Sequence, residues 1–501
     1  MVNVFQKFKN LFHPIDLTKG KIGTSLFLFL IPIVLSQIFQ QIYSLTDSII
    51  IGQNLNANQV AGINDAVPLA FLVLGFVQGT TAGFSVILSR AFGAKDFSLA
   101  RKSVFVQIIL SIIFVFILTI TSFFLIDFLL SFLKLTPSQS DPNMNEIYQA
   151  AKMYLTIIFL GGVVSQMFYN MISSILRALG DSFVPFLFLV LSTLLNIGLD
   201  LLFIVVFSWG IEGSAIATVI SQSLAAIGAF IYAFTRYPQI RFQKEDTKVS
   251  FSFVWEHIRL GVPLGLQYSI TYIGVIVMQA AVIPFDILPD GTSVVSNNPF
   301  QVGYGVSNKL GGLMMVFMSS LGTGMLSFIS QNFGAKEYKR IQRGFRLSLI
   351  AMTLICILLM TITLLLTING SYQYLFLSKD NITEGSILTG NTYLYICVPF
   401  YIPLGYIFLT RNVIQGLEKP FYPLIGGFAE LIIRVVVCGF LPQILNGGPI
   451  NSDASFSAYA LICWADPITW VVSALIVFLP SVIYIRRLNS KTITNLSKID
   501  S

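Results

Sequence analysis

The chain reads as long apolar runs separated by short polar breaks, and the breaks are built from Pro, Gly, Asn and clustered charge. Twelve runs are about 20 residues or longer, enough to cross a hydrocarbon layer of about 30 Å at 1.5 Å per residue. They fall at 24–51, 66–90, 103–133, 150–177, 183–207, 211–234, 253–282, 302–329, 345–367, 388–411, 422–441 and 463–485. Runs of this length satisfy their backbone hydrogen bonds as helices, not as the shorter strands of a barrel. Pro32 and Pro263 lie inside runs one and seven and predict kinks there. The expected fold is an all-α membrane protein of about 12 transmembrane helices.

The polar breaks also repeat. Ser89-Arg-Ala-Phe-Gly-Ala-Lys-Asp96 follows run two, and Ser330-Gln-Asn-Phe-Gly-Ala-Lys-Glu337 follows run eight, 241 positions later. Ala178-Leu-Gly-Asp-Ser-Phe-Val-Pro185 is echoed by Gly416-Leu-Glu-Lys-Pro-Phe-Tyr-Pro423, 238 positions later. Shared hydrophobicity does not produce matches in polar loops, so the chain is a duplicated six-helix unit. An even number of spans brings both copies into the membrane from the same side, related by an axis along its normal. The expected organisation is a segment 1–23, a lobe 24–236, a linker 237–252, a lobe 253–487 and a tail 488–501. Pro32 and Pro263 are only 231 positions apart, which places about ten additional residues of the second copy in the loop 285–299. No role for that loop is readable.

Composition agrees with a bilayer as solvent: 55% of residues are hydrophobic and 11% charged, against roughly 25% charged in a soluble domain. A net charge of +7 would suggest nucleic acid in a soluble protein. Here 25 of the 30 Lys and Arg fall in loops on one side, which excludes that partner and predicts both termini in the cytoplasm of a cell membrane. Lys134, Lys152 and Lys379 lie in the opposite loops, Lys309 and Arg434 within runs. Residues 1–20 lack the apolar core of a signal peptide and are expected to stay on the mature chain. The four cysteines, in runs or at their edges, form no disulfide or metal pattern, and His13 and His257 are expected in aqueous flanks.

Charge inside hydrocarbon costs at least about 2.5 kcal/mol, so each intramembrane carboxylate is a functional candidate. These are Asp47, Asp200 and Glu430, with Asp127 and Asp466 nearer predicted ends. Measured from the adjoining polar breaks, Asp47, Asp200 and Thr218 lie roughly 9–13 Å below the same surface. Asn196 shares a helix face with Asp200, and Gln40 stands two turns before Asp47. An oxygen-only set suits a hard monovalent cation, and two close carboxyls force one to hold a proton or share a cation. Asp47, Asn196, Asp200 and Thr218 are therefore the expected cation-coupling residues, for Na+ or H+; the plainer reading is that they merely bond one another between helices. No other cofactor is expected. In the second copy the corresponding positions are Met278, Arg434 and Cys438, so the site is expected in the first half alone. Glu430 and Arg434, at i and i+4, are expected as a structural ion pair. Lys309, in the Gly-rich stretch 303–312, either lines a central cavity or snorkels to an interface.

Gln40 through Ser44-Leu-Thr-Asp47, Gly93-Ala-Lys95, Arg177-Ala-Leu-Gly-Asp181 ending in Pro185, and Leu195-Asn-Ile-Gly-Leu-Asp200 with Glu212-Gly-Ser-Ala-Ile-Ala-Thr218 resemble MATE (multidrug and toxic compound extrusion) transporters of the DinF-like branch, over nearly the whole chain. The resemblance implies a cation site in the N-terminal lobe at Asp47, Asn196, Asp200 and Thr218, with Gln40 beside it in the cavity. The family's second acidic site has no counterpart in runs seven, eight and ten. It further implies a monomer, in contact with membrane lipid, exporting bulky, amphipathic, often cationic compounds in exchange for Na+ or H+. A flippase for a pyrophosphate-bearing lipid is the alternative; it would need several cavity cations, and only Lys309 and Arg434 are available. An enzyme is not expected, since no Walker A loop, His-Glu-x-x-His or Gly-x-Ser-x-Gly motif occurs.

Overall fold

The computed structural model describes residues 14–133, 135–137, 142–241, 243–290, 295–379 and 382–496. His13, Lys134, most of the segment 1–23, the last residues of the tail and 291–294 of the loop 285–299 lie outside the described residues. Twelve helices among the described residues are long and apolar enough to cross a membrane. They are α1 (Ile22–Asn54), α2 (Ala57–Gly93), α3 (Phe97–Ser131), α4 (Pro142–Ala178), α5 (Phe183–Val206), α6 (Ile211–Arg236), α7 (Phe251–Asp286), α8 (Pro299–Gly334), α9 (Tyr338–Leu366), α10 (Glu384–Gly416), α11 (Phe421–Asn446) and α12 (Phe456–Leu488). The protein is thus an all-α, multi-pass membrane protein.

Several helices outrun the apolar runs that announce them, and side-chain caps start α2 and α3 in polar sequence. Asn56 opens α2 by accepting from the Gln59 amide at 2.9 Å, while Gln59 reaches back to the Asn56 amide. Asp96 opens α3 six residues before the run at 103, accepting from the Leu99 amide at 2.9 Å. Three residues are placed differently from expectation. His257, expected in an aqueous flank, is fully buried in α7, with Nε2 2.9 Å from the Ser103 hydroxyl and Nδ1 2.9 Å from the Phe253 carbonyl. Arg411, expected at the end of run ten, lies inside α10 and is buried. Asp466, expected near the end of run twelve, stands ten residues into α12, also buried.

The duplication is visible in the backbone, bond for bond. After α2 the amides of Ala94, Lys95 and Asp96 donate to the carbonyls of Arg90, Phe92 and Ala91; after α8 those of Ala335, Lys336 and Glu337 donate to Gln331, Phe333 and Asn332. Lys95 and Lys336 both sit at positive φ, 58° and 59°. In the second echo Gly180 (φ 85°) and Glu418 (φ 62°) correspond, their amides donating to Arg177 and Gln415. Glycine suits that conformation, whereas glutamate strains its backbone by about 1 kcal/mol.

The chain divides into two compact units. The first comprises residues up to Ser269 with Leu326–Arg340 and Gln415–Pro420, so the expected linker 237–252 lies inside it. Within this unit Gly93 and Gly334 meet reciprocally: a Cβ on Gly93 would lie 2.0 Å from the Gln331 oxygen, and one on Gly334 1.9 Å from that of Arg90. Arg90 pairs with Glu256 at 2.9 Å and with Glu418 at 2.5 Å. Burial pushes the Glu418 carboxyl above its ordinary range, and Arg90 opposes that rise. The chain before α1 is bound in place: buried Leu17 donates its amide to Gln331 at 3.3 Å, and its carbonyl accepts from Asn332 at 3.1 Å and Arg340 at 3.0 Å.

The second unit comprises Ile270–Met325, Ile341–Ile414 and the residues from Phe421 on. The last residue of α7 has a structural task that sequence did not reveal. Asp286, fully buried, accepts from the amides of Phe300 at 3.1 Å and Gln301 at 2.8 Å and so caps the start of α8.

Candidate cation site in the first repeat

Three helices of the first unit bring the expected residues together. α1 supplies Asp47, α5 supplies Asn196 and Asp200, and α6 supplies Thr218. Asp200 is fully buried and Asn196 is 1% exposed, whereas Asp47 and Thr218 are half-buried. The two carboxyls lie within hydrogen-bonding reach of each other. With its amide turned to satisfy both neighbours, Asn196 donates to Asp200 Oδ2 at 2.9 Å and accepts from the Thr218 amide at 3.3 Å. Oδ1 of Asp200 is buried without a hydrogen-bond partner among the described residues.

Two residues complete the cluster that sequence reasoning did not single out. The Tyr43 hydroxyl is 3.0 Å from Thr218 Oγ1, and Ser214 donates to Asp47 Oδ1 at 3.5 Å. Their spacing was a usable signal, since Tyr43 precedes Asp47, and Ser214 precedes Thr218, by one helical turn. Asp200 is also the last α-helical residue before a π-helical turn, Leu201–Val206, an irregularity common at functional sites. Gln40 is exposed and makes none of these bonds. Lys309, in the second unit, is likewise exposed on α8.

The donors are carboxyl, amide and hydroxyl oxygens, and neither Asp47 nor Asp200 takes part in an ion pair among the described residues. Two adjacent carboxyls sheltered from water cannot both stay charged without a cation or a proton. The orphaned Asp200 oxygen and the half-buried Asp47 leave oxygen ligands free for either, so the residues present fit a hard monovalent cation.

In the second unit Glu430 and Arg434 approach to 3.8 Å, but each has a closer partner. Arg411 Nη2 donates to Glu430 Oε1. Arg434 donates to Asp466 Oδ1 through Nε at 3.0 Å and Nη2 at 2.8 Å, and Tyr393 donates to Oδ2 at 2.7 Å. The expected pair is thus the middle of a four-charge chain, Arg411–Glu430–Arg434–Asp466, whose charges cancel.

A family model, MatE, matches residues 32–202 and 302–440, one stretch in each repeat, the first of them carrying Asp47, Asn196 and Asp200. The chain belongs to the MATE family of transporters. This MATE transporter is 30% identical over 332 residues to the probable multidrug resistance protein YpnP of Bacillus subtilis, covering 65% of this chain and 68% of that one. It is also 30% identical over 340 residues to the probable multidrug resistance protein YoeA of the same species, 66% and 69% of the two chains. Among solved structures, an outward-facing multidrug resistance MATE family transporter matches with a TM-score of 0.79 over 95% of this chain and 99% of that one. At 19% identity that likeness concerns the fold.

Proposed function

We propose that this MATE transporter is an antiporter that exports amphipathic, often cationic organic compounds in exchange for Na+ or H+ by alternating access of two lobes. The observation that carries the reading is the Asp47–Asp200 pair, which has no basic partner among the described residues and leaves one fully buried carboxylate oxygen unsatisfied. A mobile cation or proton is what such a pair requires. Asp47, Asn196, Asp200 and Thr218 hold it, Tyr43 and Ser214 orient them, and Gln40 and Lys309 are read as cavity positions. Cation entering from outside disfavours bound substrate, and by linkage substrate disfavours the cation to the same degree. The two Bacillus relatives named for multidrug resistance support the substrate class. The one-sided distribution of Lys and Arg supports insertion in a cell membrane with both termini cytoplasmic.

The test is efflux of a fluorescent cationic dye from vesicles containing the protein, under an imposed Na+ gradient and then an imposed H+ gradient. Efflux follows one of the gradients, and Asp200→Asn brings it down to the rate of protein-free vesicles while insertion is unchanged. Wild-type efflux in Asp200→Asn overturns the proposal; no dye movement with either gradient, in wild type, favours the lipid flippase.

A further inference from the structure

The positions that correspond by repeat to the cation cluster meet in the second unit too, with different chemistry. Asp47 and Asp200 correspond to Met278 and Cys438, and Cys438 Sγ lies 3.2 Å from Met278 Sδ. The acid pair of one repeat is therefore a sulfur pair in the other, in the same helix-to-helix contact. Tyr43 corresponds to Gly274, and Asn196 to Arg434. These two exchanges belong together: a Cβ on Gly274 would lie 2.6 Å from Arg434 Nη1 and 3.2 Å from its Cδ. The long side chain from α11 fills the volume that losing the tyrosine on α7 leaves open. Its guanidinium ends on Asp466, with Glu430 at 3.8 Å, and the residue is 7% exposed.

We propose that Arg434 is a tethered cation: its guanidinium occupies, in the second repeat, the place that the first repeat leaves to a mobile cation, and so limits the transporter to one mobile-cation site. The comparison with the first repeat rests on the cation-site reading proposed above. The charge balance of the second repeat does not, because it follows from Arg411, Glu430, Arg434 and Asp466 alone. Deleting the guanidinium leaves two buried carboxylates against one arginine. A group so buried then recruits a small monovalent cation, Na+ or H+, in place of the lost one. The bidding residue is Asp466, whose Oδ1 loses both of its guanidinium donors.

The experiment uses the purified full-length protein with Asp200→Asn as background, so that binding in the first repeat is silenced. Radioactive Na+ binding and proton uptake are measured for D200N, D200N/R434N and D200N/R434N/D466N. The expected result is one additional cation, Na+ or H+, per molecule in D200N/R434N than in D200N, and loss of that gain when D466N is added. No gain in D200N/R434N overturns the tethered cation. Comparison of wild type with D200N tests the first-repeat site separately, so one reading can fail without the other. Should R434N not yield folded protein, recovery by millimolar guanidinium but not by equal KCl, or recovery by D466N, supports the proposal. Recovery by neither counts against it.

Discussion

Thr218 joins the helices around the carboxyl pair. Its hydroxyl meets that of Tyr43 from α1 and its backbone amide donates to Asn196 from α5, so α1, α5 and α6 are tied together beside Asp47 and Asp200. A neutral hydrogen bond of this kind contributes about 1 kcal/mol. Tyr43→Phe removes it without changing ring volume, and the expected outcome is a roughly fivefold rise in the cation concentration giving half-maximal export, with the thermal midpoint little changed. The measurement is export rate against Na+ or H+ concentration on the outer side. Arg411 makes the opposite point about single residues. Counted by sequence as a loop cation, it is in fact the closest partner of Glu430.

At the scale of elements, the stretch before α1 behaves as a strap. Arg340 at the start of α9 donates three bonds to it, to the carbonyls of Leu17 at 3.0 Å, Lys19 at 2.6 Å and Gly20 at 2.6 Å. Ile15 adds a bond from its amide to the Gly180 carbonyl at 2.9 Å, on the turn after α4. Carbonyl oxygens clustered on one guanidinium make the strap depend on that side chain. Arg340→Ala is expected to expose Lys19 and Lys21 to trypsin several-fold faster in detergent-solubilised protein, followed by mass spectrometry of the cleaved N-terminal peptide. An unchanged cleavage rate would mean that Leu17 burial alone holds the strap. Of this arrangement sequence showed only that the segment is polar. Its bonds run from Leu17 to Gln331 and Arg340, more than three hundred positions away, and no local pattern reports such pairing.

Across the whole molecule, the two repeats keep their polar turns and diverge inside the membrane. The turns at Lys95 and Lys336 hold the same backbone bonds, whereas Asp47 and Asp200 are replaced by Met278 and Cys438 at the corresponding positions. All four native cysteines are buried, which leaves the surface silent to thiol reagents. A cysteine introduced at exposed Thr247 is therefore expected to react with a membrane-impermeant maleimide only in opened or inverted vesicles. One at exposed Asp453, between α11 and α12, reacts in intact cells. The reverse pattern would refute the orientation drawn from the Lys and Arg distribution.

Twelve spans, the duplication and the gathering of Asp47, Asn196, Asp200 and Thr218, though not of Tyr43 and Ser214, were legible from sequence, because each depends on local order. Apolar length decides a span, polar loops preserve a repeat, and an ionisable residue inside an apolar run is costly enough to stand out. Helix ends were less legible: Asp96 and Asn56 start helices in polar sequence through side-chain caps that hydropathy does not register. What tertiary structure alone decided is partnership. Which acid Arg434 chooses, what fills the space beside Gly274, and why Asp286 is buried at the head of α8 all depend on side chains meeting across helices. Buried charge settles on whichever partner close packing brings within reach, and in this chain Arg434 found Asp466 on α12 at 2.8 Å while its own helix neighbour Glu430 stayed at 3.8 Å.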